Sequence, residues 1–462
     1  MNKEFIAGLD REKIGDLILV NSPLRDYGNR PKDNYEVLPP LGLGYIATQA
    51  DYNGYNVGVI DAEHHGIKQS ELVSIVNNLN PRYVGINVFT PNRIQSLLFA
   101  EKLNSDISLI IGGPHATTMS EKTLCDFSLV HEKVILIRGE AELAVSQVLS
   151  GQSVCTIPGV FWFEKGEIKS TPGLSTPECL DELPLLDRKF LANDPSIDSH
   201  TGKVESRVLT SRGCPYNCTI CAGARKVLNL LTRNRCAESV AQEICGLVLD
   251  NNVQSIRFVD DLFISNEEKT RSILDTVKKL NISNIYWDAT GRANILAKFS
   301  SKFYDYLKES GANEIALGIE SGSERLREKI NKQVSLEDIY RSVDGLIKRD
   351  IMVKGYFVIG IPTETKLETL STIDLARQLT LKSKGKFRAS IFVFRPYPET
   401  EEWKKLVKKG FDEKDLLLMS TEGEGERAKH KVLTTLQFGE CSPEELSKLL
   451  SQYEDWQNNY FS

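Results

Sequence analysis

The chain has 462 residues, of which 41% are hydrophobic and 26% charged, and its 57 Lys and Arg against 63 Asp and Glu leave a formal charge of -6. That balance offers no basic field for a polynucleotide backbone, and no apolar run approaches the length of a membrane span, so nucleic-acid binding and membrane integration are set aside. The length allows two large domains with an appendage, and the charged N-terminus MNKEFIAGLDREK does not read as a secretory segment, so a cytoplasmic, reducing setting is expected.

In chain order, DLILVN, NVGVID, RYVGINV, SLIIGG and KVILIR are short β-branched runs separated by helical stretches. The alternation predicts a doubly wound, Rossmann-like parallel α/β sheet over residues 1–150, with ligand contacts in the loops after the carboxyl ends of the strands. The first of these loops closes with Pro39-Pro40-Leu41-Gly42-Leu43-Gly44, opening a helix, and the second is Asp61-Ala62-Glu63-His64-His65-Gly66. The third carries Phe89-Thr90-Pro91-Asn92, the fourth Gly112-Gly113-Pro114-His115-Ala116-Thr117, and the fifth Arg138-Gly139-Glu140-Ala141-Glu142. Glycine pairs there let a ligand approach the backbone, although glycines and prolines also end strands everywhere.

Residues 151–203 read as a connector with a small β element, GVFWFEKGEI. A second α/β series over 204–398 has strands at RVLTS, SIRFVD, IYWDATG, EIALGIE, VKGYFVIG and ASIFVFRP; six βα units predict a partial (β/α)6 barrel with its chemistry at the carboxyl rim. Residues 399–462 are expected to form a small helical C-terminal cap, with TEGEGERAK as a solvated loop.

Directly after the first strand of this series comes Cys214-Pro215-Tyr216-Asn217-Cys218-Thr219-Ile220-Cys221. Three thiolates so spaced can hold three irons of a 4Fe-4S cube and leave the fourth open to a small molecule. Structural zinc would call for a second knuckle, and Cys236 and Cys245 have helical spacing instead. The six remaining cysteines are scattered and make no disulfide framework.

Placed at the end of a first barrel strand, SRGCPYNCTICAG resembles the signature of the radical S-adenosylmethionine (SAM) superfamily. PPLGLGYIA, GGPHAT and GEAE resemble the cobalamin-binding domain of its cobalamin-dependent, class B methyltransferase-like subgroup. The resemblance spans nearly the whole chain. It implies a 4Fe-4S cluster on Cys214, Cys218 and Cys221, SAM on the open iron, and cobalamin over the first sheet. A zwitterion and a ribose need charged and hydroxyl partners, and the resemblance assigns Tyr216, Asp260, Asp261, Arg292, Glu320, Ser321 and Gly360 to the cluster and SAM. Arg292 would meet the SAM carboxylate, Glu320 or Ser321 its amino group or ribose, and the Gly360 backbone its adenine. Other readings stand beside these: Asp260 and Asp261 as helix N-caps, and Arg292 paired with Glu320.

For cobalamin the resemblance implies Pro39, Leu41, Gly42, Asp61, Glu63, His64, Thr90, Gly112, Gly113, His115, Gly139 and Glu140. Many cobalamin proteins use Asp-x-His-x-x-Gly, whose histidine ligates cobalt; here Glu63 stands at that position and histidines follow it. Cobalamin without a protein imidazole is therefore expected, with His64 as the alternative ligand.

The implied activity is methyl transfer from SAM via methylcobalamin to an unactivated carbon of a small molecule or peptide, using a 5'-deoxyadenosyl radical. Two alternatives are carried: ring formation or rearrangement without net methyl transfer, and a non-catalytic metal-binding scaffold or cobalamin carrier. A flavodoxin- or ferredoxin-like electron donor, a monomer or weak dimer, and a natural-product setting are expected by the same resemblance.

Overall fold

The computed structural model describes residues 5–28, 37–198, 201–280, 282, 285–419 and 436–461; the TEGEGERAK segment lies outside them. Two compact units are present, the first ending at Asp194 and the second beginning at Pro195.

In the first unit, β1 (Ile6–Ala7), β2 (Leu17–Asn21), β3 (Val57–Asp61), β4 (Tyr83–Asn87), β5 (Ser108–Gly112), β6 (Val134–Ile137), β7 (Val160–Glu164) and β8 (Glu167–Ser170) form one sheet in the order β1-β3-β2-β4-β5-β6-β7-β8. Pairing is parallel from β3 through β6, and antiparallel where β1 and the β7/β8 hairpin extend the edges. Every residue of β2 and β3 is buried, because the sheet is covered on both faces. Ile18, Val20, Ile60 and Val84 enter one core, while their neighbours Leu17, Leu19, Val57 and Val59 enter the other. The chain leaves β2 toward β3 and returns on the other side at β4, so the strand order reverses at β2 and opens a crevice above its carboxyl end. All five predicted runs are strands, and GVFWFEKGEI forms most of the β7/β8 hairpin.

In the second unit, β9 (Ser196–Ile197), β10 (Val204–Val208), β13 (Ser255–Phe258), β14 (Tyr286–Gly291), β15 (Ala312–Glu320), β16 (Met352–Ile359) and β17 (Phe387–Val393) make a second sheet, while β11 (Ser211–Arg212) and β12 (Arg233–Asn234) pair apart as a short antiparallel hairpin. The six strands β10 and β13 to β17 are parallel and adjacent in chain order, with helices between them, which is the expected open half-barrel. Its core is one-sided. Ile315, Leu317, Ile319, Val353, Phe357 and Ile359 pack under the helices, whereas the alternate residues of β15 and β16 are only half-buried on the inner face. The C-terminal helix Pro443–Phe461 contributes Leu446, Leu450 and Tyr453 to that same core.

One boundary differs from the sequence pattern. The first barrel strand covers Val204–Val208, not the RVLTS run, because Thr210 and Ser211 turn their polar groups onto a buried carboxylate at the end of β13. The cysteine loop then hangs between the two strands of the β11/β12 hairpin.

Candidate cofactor sites

The cysteine loop is held at its root and along its length. At the root, Asp260 is buried and accepts hydrogen bonds from Thr210 N (3.2 Å), Thr210 Oγ1 (2.8 Å) and Ser211 Oγ. Gly213, at φ +89°, turns the chain into the loop. Cys221 N–H then donates to Cys218 O at 3.2 Å and Ala224 N–H to Cys221 O at 3.1 Å, a tight turn that carries the last two thiols. Two distant segments clasp the loop: Thr219 N–H donates to Ile330 O (3.0 Å), Asn331 Nδ2 to Asn217 O (2.9 Å), and Glu402 N–H to Thr219 O (3.1 Å).

Around the thiols stand the charged rim residues. Arg292 is buried, its guanidinium 3.8 Å from the centroid of the Tyr216 ring and its Nη1 3.7 Å from Cys218 Sγ. Its Nε donates to Asn294 Oδ1 at 3.0 Å, and its Nη2 meets no hydrogen-bond acceptor among the described residues. Glu320, at φ +67°, pairs with Lys332 Nζ at 2.6 Å. A Cβ at Gly318 would lie 2.5 Å from both partners of that pair, so a side chain there would displace their charged ends. Asp261 approaches the loop from the β13 side, its Oδ1 3.4 Å from the Cβ position of Gly223, which is itself 3.7 Å from Cys221 Sγ.

Ser321 stands apart from this group: it is buried, its hydroxyl shared with Thr372 Oγ1 at 3.0 Å and accepting from Ser323 N at 3.1 Å. Gly360, at φ +77°, ends β16 with its N–H on the Glu364 carboxylate. Burial lifts that carboxyl to about 7 against the two backbone N–H groups it accepts. Two readings are corrected. Neither Asp260 nor Asp261 caps the following helix, whose N-cap is Asn266, accepting from Lys269 N at 2.8 Å; and Glu320 pairs with Lys332, not with Arg292.

The donor set fits an iron-sulfur cluster. All three cysteines are free. Burial holds the Cys214 thiol above its ordinary range, and Cys221 is pushed up to about 11 by desolvation and then by Cys218, Cys214 and Glu320 close by. Thiols that resist ionisation in one another's company give up their protons to a cationic centre. Among the described residues no three His, Cys, Asp or Glu converge on a single ion; a cube asks instead for one thiolate at each of three corners.

Sequence reading missed Asn331, Lys332 and Glu402. No local sequence signal marks them; in the fold Asn331 takes a left-handed φ of 56°, a conformation Asn tolerates better than most residues.

In the first unit, the expected residues gather at strand ends. Asp61 closes β3, accepts Asn21 Nδ2 (2.9 Å) and His64 N (3.0 Å), and starts a short helix that Gly66 ends at φ 64°. Glu63 is buried, its carboxylate accepting Leu24 N–H at 2.7 Å, and His64 is half-buried with its ring edge-on to His65 at 4.9 Å. Pro39 O accepts Leu41 N–H at 2.9 Å, and a Cβ at Gly42 would meet no atom of the described residues within 4 Å. Gly112 pairs with Asn87, and its carbonyl accepts Val88 N–H at 2.8 Å. Gly113 (φ +100°) and Gly139 (φ +108°) need their missing side chains, since a Cβ would come within 2.3 Å of Asn87 Oδ1 and Ser175 O respectively. Glu140 N–H continues that turn, donating to Ser175 O at 2.6 Å. Thr90 Oγ1 and His115 Nδ1 are 3.0 Å apart and both buried.

A corrin rimmed by carboxamides calls for neutral hydrogen-bonding groups and for small residues beneath its edge. The Thr90–His115 pair and the open space at Gly42 supply both, so the residues present fit cobalamin.

His115 stays neutral: burial, then Arg93 and Lys122, lower it from 6.5 to about 4. The unfolded chain takes up a proton near 6.5 that the folded site refuses until about 4, so stability falls as pH drops through that window. The full span is about 3 kcal/mol. Urea unfolding of the first unit at about pH 7 and pH 4.5 should show this slope in the native chain and lose it in His115→Asn; an equal slope in both would contradict the assignment.

The Radical SAM superfamily model matches residues 208–376, and the B12 binding domain model matches residues 35–149. An uncharacterized methyltransferase of Pyrococcus horikoshii is 28% identical over 376 residues, spanning 80% of this chain and 78% of that protein. Cytidylyl-2-hydroxyethylphosphonate methyltransferase of Streptomyces wedmorensis is 25% identical over 430 residues, with shares of 80% and 78%. The anaerobic magnesium-protoporphyrin IX monomethyl ester cyclase of Rubrivivax gelatinosus is 23% identical over 351 residues, with shares of 73% and 62%. Among solved structures, the radical S-adenosylmethionine methyltransferase TsrM from Kitasatospora setae, with cobalamin and a 4Fe-4S cluster bound, superposes with a TM-score of 0.66 at 16% identity, covering 86% of this chain and 75% of that one, a likeness of fold. No described helix is long and apolar enough to cross a membrane.

Proposed function

Because the chain belongs to the cobalamin-dependent radical SAM enzymes, with a 4Fe-4S cluster, SAM and cobalamin as its cofactors, we propose that it transfers a methyl group from SAM to an unactivated carbon of a small-molecule or peptide substrate. The observation that carries this reading is the presence of both cofactor domains in one chain whose relatives include proteins named methyltransferases. When bound, the cluster supplies an electron to SAM, SAM supplies the methyl and adenosyl groups, and cobalamin supplies a methyl carrier.

In this reading each named side chain has a task. Cys214, Cys218 and Cys221 hold three irons. Arg292, buried with Nη2 lacking a hydrogen-bond acceptor, meets the SAM carboxylate, and the Tyr216 ring keeps its guanidinium in place. Glu320 takes the SAM ammonium where it now holds that of Lys332. On the first unit, Thr90 and His115 meet the cobalamin edge as neutral partners, and Gly42, Gly112, Gly113, Gly139 and Glu140 bring backbone close to it. Asp61 and Glu63 are engaged with the backbone N–H groups of His64 and Leu24, and Glu63, standing where many cobalamin proteins carry a histidine, would offer the cofactor no imidazole.

The relative named a cyclase supports one other reading, ring formation or rearrangement without net methyl transfer. Turnover with methyl-deuterated SAM separates the two: a product carrying the labelled methyl supports methyl transfer, and turnover to an unlabelled product contradicts it.

A further inference from the structure

The inner face of the half-barrel carries charge that the cofactor residues do not use. Cross-strand register sorts this face into rows, read downward from the carboxyl ends of the strands. Val358 and Phe392 pair in the upper row, Gly318, Tyr356 and Ser390 in the next, and Thr290, Ala316, Lys354 and Arg388 in the third. Arg257, Asp288 and Glu314 form the fourth.

The fourth row is largely satisfied from within. Arg257 reaches Glu205 at 3.1 Å, Asp198 at 3.7 Å and Asp288 at 3.8 Å, and Asp288 also accepts Asn313 Nδ2 at 2.9 Å. The third row is not. Lys354 is half-buried, and among the described residues it makes neither an ion pair nor a hydrogen bond; its ammonium lies 5.5 Å from the centroid of the Tyr356 ring, toward the carboxyl end. Arg388 rests against the Phe461 ring at 4.8 Å, again with no carboxylate among the described residues. The one carboxylate in their field without an ion pair among the described residues is Glu314, which Lys354, Arg388 and the already paired Arg257 share across a floor that Ala316 leaves low. Above this row Tyr356 and Phe392 make an apolar wall, their ring centroids 5.9 Å apart.

We infer that Lys354 anchors an anionic group of the substrate, a carboxylate or a phosphate, with Arg388 adding to the field and with Tyr356 and Phe392 flanking the carbon skeleton that rises toward the cysteine loop. This rests on the half-barrel being the catalytic unit. An ammonium in a concave, half-buried wall that makes no ion pair among the described residues, and that shares the field of Glu314 with Arg257 and Arg388, keeps its donors open to a ligand. From the level of Ala316 to Glu320 is four residues of strand, about 13 Å, and the lysine stem recovers part of that span, so the anion and the modified carbon lie roughly a nanometre or less apart.

The test uses the full-length, cluster-reconstituted protein with inorganic phosphate and benzoate as probes, each against sodium chloride of equal ionic strength. Lysines are labelled with a succinimidyl ester, and the modification rate of each is read by peptide mass spectrometry. One probe or the other should slow labelling of Lys354 by about threefold at twice its dissociation constant, while exposed lysines such as Lys13 keep their rate. Protection by phosphate assigns a phosphate-bearing substrate and protection by benzoate a carboxylate-bearing one. Equal rates at Lys354 with both probes and with chloride would overturn the anchor. The same samples, given SAM and reductant, report 5'-deoxyadenosine separately, so failure of the catalytic reading and failure of the anchor are told apart.

Discussion

Replacing any one of Cys214, Cys218 or Cys221 by alanine should empty the cluster site and reduce 5'-deoxyadenosine formation at least about 100-fold, a loss of roughly 3 kcal/mol or more of transition-state stabilisation. Two thiolates cannot hold a cube that already leaves one iron without a protein ligand, and the loop offers no replacement. Asp261 and Glu320 are the nearby carboxylates, one approaching Gly223 and the other held by Lys332. The controls are Cys125→Ala and Cys179→Ala, which lie in the first unit and should keep full iron and full activity. Iron analysis and the visible absorbance of anaerobically reconstituted protein are the readouts. A triplet variant that keeps its iron would place the cluster elsewhere, and a native protein that fills with zinc and no iron would support the scaffold reading.

Asp260→Ala should have the second-largest effect, through a different cause. The carboxylate is buried and satisfies Thr210 N, Thr210 Oγ1 and Ser211 Oγ together, fastening the end of β10 to the end of β13 just ahead of the cysteine loop. Alanine leaves those donors buried without an acceptor, at a cost of about 3 kcal/mol to the second unit, and frees the hairpin from which the loop hangs. Asp260→Asn keeps the shape and one acceptor oxygen, so its loss should be smaller. Urea unfolding of the apo protein gives the stability change, and iron retention after reconstitution gives the effect on the loop. Native stability and full iron in Asp260→Ala would show that this carboxylate does not hold the loop root.

Much of the architecture was legible because its cues are local. Each β-branched run became a strand, RVLTS only in part, and the order of strand, helix and strand carried the parallel topology of both sheets. The cysteine triplet was legible for the same reason, since all its members lie within one turn-rich loop. What escaped was long-range. Asn331 reaches Asn217 across 114 residues of sequence, and nothing near either position announces the contact. Lys332 matters because Glu320 bends back over a glycine at 318, a fact of backbone conformation. Asp260 looked like a helix cap because an acidic pair precedes a helix; in the fold that helix begins later, at Asn266, and the carboxylate turns to β10 instead.

The inner face of the half-barrel shows the same limit. Alternation along β16 marks Lys354 as lying opposite the core, but only the register with β15 and β17 sets it beside Ala316 and Arg388, where it makes no ion pair among the described residues.

The most direct test of the central claim is an anaerobic incubation of the reconstituted protein with cobalamin, reductant and methyl-deuterated SAM, followed by mass spectrometry. Both deuterium in the methyl group recovered with the cobalamin fraction and 5'-deoxyadenosine from the same sample are expected. Deoxyadenosine without labelled cobalamin would contradict methyl transfer in favour of rearrangement, and neither product from a cluster-loaded sample would contradict the enzyme assignment itself.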